Sequence, residues 1–111
     1  MTDWKAVEAV IERLIGEAVE NPFERRTIAN ARQLLGVARD RCPVAVVGKG
    51  YWSTFRFSWS TTPPVEVEVF ADRFEFYRFY DGRTDIEEIS HQSNEPLPER
   101  LIIQLPISGA S

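Results

Sequence analysis

The sequence predicts a two-layer α+β fold: an N-terminal helical hairpin packed on a mainly antiparallel meander of four or five strands, closed by a short C-terminal helix or edge strand. Two observations carry this. Apolar residues recur at three- and four-residue spacing up to about residue 40, and from Val44 onward the period drops to two. The 111 residues suit one domain, divided into a hairpin over 1–43, a meander over 44–90 and a C-terminal segment over 91–111.

Trp4, Val7, Ile11, Leu14 and Ala18 share a helix face over residues 3–20, with Asp3 or Thr2 as cap. In "NPFE", Asn21 reads as an N-cap, Pro22 as the first helical residue and Glu24 as the acid of a capping box. Phe23, Ile28, Ala31, Leu34, Leu35 and Ala38 then form the stripe of a second helix, ended by Cys42-Pro43.

Further on, "VAVV", a glycine turn at "GKG" and "YWSTFRFSWS" read as a strand, a turn and a longer strand. "VEVEVF" and "FEFYRFY" follow, and Asp81-Gly82 is the signal of a type I′ hairpin. In "PLPERLIIQLPI", Leu97, Leu101 and Leu105 favour a two-turn helix begun at Pro98 over an edge strand.

Cross-strand charge chooses the registers. Like charges facing each other cost up to roughly 1 kcal/mol per pair. A loop over 60–64 sets Trp59 by Val65 and Arg56 by Glu68, and the Asp81-Gly82 turn sets Arg78 opposite Asp85. Between those hairpins, a three-residue loop over 71–73 pairs Glu66 with Arg78, whereas a two-residue loop would set Glu68 against Glu75. The longer loop is therefore preferred. It assigns Tyr77, Phe79 and Ile86 to the core face, and it places Phe70, Phe74, Phe76 and Tyr80 outside among Arg56, Glu66, Glu68, Arg78, Asp85 and Glu87.

An aromatic patch inside a charged rim is the pattern of a docking surface. The expectation is a non-catalytic protein-interaction module of accessory, inhibitor or immunity type, binding through Phe74, Phe76, Tyr80, Arg78 and Glu66. Its partner is another protein, a second copy included. The competing expectation is that the C-terminal segment folds across these rings.

Two other functions compete. Arg25, Arg32 and Arg39 recur every seven residues and would make a nucleic-acid stripe. Against that, residues 1–20 carry five acids and two bases while 21–43 carry two acids and five bases, so the helices can neutralise each other. A small metal-dependent enzyme would centre on His91, the one histidine, with Asp85, Glu87, Glu88 and Glu95 nearby in sequence. No ligand spacing there is diagnostic, and a solvated loop histidine is the simpler reading. Glu66 and Glu68 resemble a catalytic carboxylate pair, but Arg56 and Arg78 beside them would keep both ionised. Cys42 reads as a small buried hydrophobe, and "VGKGYWS" as a turn without phosphate-loop spacing. No cofactor is expected.

"RFEFYRFY" resembles the base-stacking strand of RNA-recognition motifs, but the glycine after the first basic residue is absent, and two leading helices depart from the βαββαβ order. The helical hairpin followed by a meander resembles many short bacterial or phage proteins. A net charge of −4 disfavours nucleic acid, the single cysteine fits a reducing cytoplasm, and no run approaches membrane-spanning length.

Overall fold

The computed structural model describes residues 3–108. Two helices, α1 (Trp4–Glu17) and α2 (Arg25–Arg41), precede strands β1 (Val46–Lys49), β2 (Phe55–Trp59), β3 (Val65–Val69), β4 (Arg73–Tyr80) and β5 (Arg83–Ser90), and α3 (Glu99–Ile102) follows. The five strands form one antiparallel sheet in sequence order. This is the expected α+β arrangement.

Asp3 caps α1, its carboxylate accepting from the Ala6 amide at 2.8 Å; Thr2 lies outside the described residues. The capping box at "NPFE" does not form. Helix α2 starts at Arg25, after Glu24, whose side chain makes no capping bond. Phe23 takes the chain elsewhere: it is buried and stacks on Phe55, ring centroids 4.2 Å apart. Burying that ring is worth more than a cap, at about 2–3 kcal/mol against about 1.

Strand β1 begins later than "VAVV" and takes in Gly48 and Lys49, while "YWSTFRFSWS" contributes only Phe55–Trp59 to β2. The Trp59 indole N–H donates to the Pro43 carbonyl at 2.8 Å, tying β2 to the end of the helical hairpin. In the C-terminal segment Leu97, Leu101 and Leu105 are buried and Ile103 is exposed, as helical spacing requires, although α3 is a single turn.

The β2–β3 and β4–β5 registers match expectation: Trp59 faces Val65, Arg56 faces Glu68, and Arg78 faces Asp85. Gly82 takes the positive φ of 76° that the tight turn needs, but Asp81 does not take a positive φ, so the turn is not the expected type I′, which requires it at both central residues. The β3–β4 register does not match. Val67 faces Phe76, Glu66 faces Tyr77 and Glu68 faces Glu75, so the chain turns through Ala71 and Asp72 alone.

A shift of one residue inverts every side chain of a strand. Phe74 and Phe76 consequently join Phe55, Phe57, Val67 and Val69 in the core, at 0% and 2% exposure. Tyr77, Phe79 and Ile86 go to the other face. Seating two phenylalanines gains several kcal/mol, and one facing pair of carboxylates costs up to roughly 1. Ring burial therefore decides the register.

All three helices lie on the inner face. Helix α1 runs beside β1 and α2 over β3. The α3 segment covers the Phe76 end, where Arg100 and Gln104 reach Glu87, the cross-strand neighbour of Phe76. Phe74 and Phe76 are thus covered by their own chain, together with the helical hairpin.

Candidate interaction surface

The five residues expected to form one binding face do not share a surface. Phe74 and Phe76 are core residues. Arg78 is on their side of β4, its guanidinium 5.0 Å from the Phe76 ring centroid. Tyr80 ends the same row under Arg83, at 4.5 Å. Glu66 is on the opposite face, accepting from the Ser58 hydroxyl at 2.9 Å and paired with Arg56 at 3.6 Å. The one-residue difference in register separates them.

Among the described residues no helix packs on the outer face, which holds a cleft of about 470 Å³ bounded by β2 to β5 and the loop before β2. Its apolar rim is Tyr51, Trp52, Phe70, Phe79 and Ile86. Tyr51 and Trp52 stand 84% and 66% exposed and meet edge-to-face at 5.5 Å. Between them and β5 runs a polar floor. Glu68 is nearly enclosed and accepts from the Thr54 hydroxyl at 2.5 Å. The Tyr77 hydroxyl donates to Glu75 at 2.5 Å and lies 3.4 Å from Glu68 Oε1. Arg73 pairs with Glu75 at 3.1 Å and lays its guanidinium 3.8 Å from the centroid of Phe70.

Burial, together with the adjacent Glu75 and Glu68 carboxylates, pushes the Tyr77 hydroxyl well above the usual tyrosine range. It therefore stays protonated, with its one proton standing between the two carboxyl groups and directed to Glu75. Gly50 makes room for this floor: a Cβ there would lie 2.0 Å from Thr54 Oγ1 and 2.7 Å from Glu68 Oε2.

The other candidates are dispersed or occupied. Arg32 makes a two-pronged pair with Glu12 at 3.0 and 3.1 Å, and Arg39 lies 4.0 Å from Glu8, so α1 neutralises much of the Arg25, Arg32, Arg39 stripe. His91 is no solvated loop residue. It is buried, 5.1 Å from Phe74, with Nε2 2.7 Å from Gln33 Oε1, and desolvation lowers its pKa. Burial raises the Cys42 thiol, as suits an unreactive core position. Among the described residues no group of three or more His, Cys, Asp or Glu is arranged to hold a metal ion, and no helix is long and apolar enough to cross a membrane.

No family model, curated protein or solved structure matches the chain.

Sequence reasoning misses Tyr51 and Trp52 because it absorbs them into a strand. Their signal is present: two adjacent aromatics after Gly50 point to both sides of any strand, so one must lack a core to enter. Tyr77 and Phe79 belong to the conspicuous aromatic run, but charge matching puts them on the wrong side.

Proposed function

We propose that the chain is a non-catalytic protein-interaction module, in the manner of accessory, inhibitor or immunity-type proteins, and that it docks its partner on the outer sheet face around Tyr51 and Trp52. One observation carries this reading: among the described residues the helices cover one side of the sheet and none covers the other, yet that open side carries the rim Tyr51, Trp52, Phe70, Phe79 and Ile86. Large aromatics with Arg at the margin are the residue types that concentrate binding energy in such contacts. The floor is more acidic than basic, with Glu66, Glu68 and Glu75 against Arg56 and Arg73, so the fitting partner is a protein with a basic and apolar surface. The single buried thiol is the basis for proposing residence in a reducing, cytoplasmic compartment.

The test is a photo-crosslinking residue placed at Tyr51, and in a second variant at Arg25, both expressed in the source cells. A discrete protein adduct at position 51 and none at 25 is expected. An adduct of twice the chain mass would identify the partner as a second copy. Nucleic acid captured at 25, with nothing at 51, would replace this reading with the arginine stripe.

A further inference from the structure

Glu68 differs from every other acid on the outer face. It is 7% exposed, yet it still lines the cleft. Oε2 accepts from the Thr54 hydroxyl at 2.5 Å, and Oε1 lies 3.4 Å from the Tyr77 hydroxyl, whose one proton is directed to Glu75. Both neighbouring groups are neutral hydroxyls. Among the described residues no cationic nitrogen lies within 4.0 Å of it, because the two nearby guanidinium groups are engaged elsewhere. Arg56 faces Glu68 across the strands but turns to Glu66, and Arg73 holds Asp72 and Glu75.

A carboxylate so far withdrawn from water is costly without a counter-charge. The space for one exists in the cleft that Glu68, Tyr51 and Trp52 line together, with Trp52 and Tyr51 exposed at its rim. Aromatic faces attract cations, most strongly when both are withdrawn from water. The same cleft already shows that pairing, in Arg73 over Phe70 at 3.8 Å. Carboxylate floor, aromatic wall and a missing positive charge together specify a guest: a cation on an apolar stem.

We infer that the cleft seats the side chain of a single Lys or Arg presented by the docked partner, with Glu68 as its counter-charge and Trp52 as its wall. This rests on the outer face being the docking surface, and it names what that surface recognises. Thr54 and Tyr77 flank the carboxylate, Gly50 lets the loop backbone pack close against Thr54 and Glu68, and the cleft admits the cation.

The intact chain is titrated with N-acetyl-lysine methylamide, N-acetyl-arginine methylamide and the neutral N-acetyl-norleucine methylamide, following the Trp52 indole N–H by NMR. At least one cationic probe should give a saturable shift with a dissociation constant of roughly millimolar size, and the neutral probe should bind about tenfold more weakly or worse. Glu68→Gln should remove that preference. Should Glu68→Gln fail to fold, Trp52→Ala, altered at an exposed position and followed by the Gly50 and Thr54 backbone amides because the indole is gone, should weaken the cation about tenfold instead. Equal shifts from charged and neutral probes, or an unchanged preference in either variant, would overturn the inference. The photo-adduct at position 51 separates the two readings. An adduct formed equally in wild type and Glu68→Gln keeps the docking face and rejects the cation seat, while absence of any adduct rejects the docking face, and the amine titration still decides the seat.

Discussion

Glu68 and Glu75 face each other on adjacent strands, and the Tyr77 hydroxyl stands between them, donating its proton to Glu75 at 2.5 Å with Glu68 3.4 Å away. The like-charge contact that would otherwise exclude this register is tolerated because donors converge on it, Thr54 on one carboxylate and Arg73 on the other. Tyr77→Phe should therefore destabilise the fold by about 1–2 kcal/mol in urea titration. Adding Glu75→Gln should return most of that loss, because the remaining repulsion disappears with the charge. A double-mutant cycle that shows no coupling would contradict the geometry.

The face assignment has its own test. Phe76→Asp puts a charge into the core and should cost more than about 4 kcal/mol, leaving no cooperative unfolding transition. Trp52→Ser, at the open rim, should stay within about 1 kcal/mol of wild type by the same titration. The reverse ranking would place Phe76 outside.

Much of the fold is legible in the chain. The period change near Val44, the Asp81-Gly82 turn and the spacing of Leu97, Leu101 and Leu105 are local signals, and each element forms where they stand. The β3–β4 turn has no such signal. Ala71-Asp72 contains no glycine, and what holds it comes from far away: Asn30 of α2 donates to the Phe70 and Ala71 carbonyls at 2.9 and 3.3 Å, and the His91 amide donates to the Asp72 carbonyl at 3.0 Å. A register decided by ring burial and held at its turn by tertiary hydrogen bonds is invisible to strand-by-strand charge matching. That alone puts the expected binding surface on the wrong side, since the aromatic run itself is plain in the sequence. Asn21 fails as a cap for a similar reason, a distant partner, Phe55, having claimed Phe23.

Glycine substitutions should divide sharply. Gly50→Ala forces a Cβ against Thr54 and Glu68 and should cost about 1–3 kcal/mol through the lost hydrogen bond. Gly36→Ala, inside α2 with nothing within 4 Å of the added methyl, should stabilise by about 0.5–1 kcal/mol. Thermal melts of the two variants should move in opposite directions.

His91 gives stability a pH dependence of definite sign. Desolvation, opposed by Glu95, holds its pKa below the ordinary 6.5. Between that lowered value and 6.5 the unfolded chain binds a proton that the folded chain refuses, so stability rises with pH through this window and the contribution is complete above it. Acidification from pH 7.5 to 5.5 should lower the urea midpoint of the wild type more than that of His91→Gln. Parallel losses in the two would assign the effect to carboxylates.

The unbroken order of strands from β1 to β5 also bears on how fast the molecule assembles. Every strand pairs with its neighbour in sequence, so each hairpin closes a short loop. The sheet can grow by successive zippering, with the β3–β4 register left open until α2 arrives. That docking is the long loop closure, because Asn30 must meet a turn some 40 residues away. Helix docking thereby completes the sheet, and the same event fixes which aromatic rings the finished surface displays.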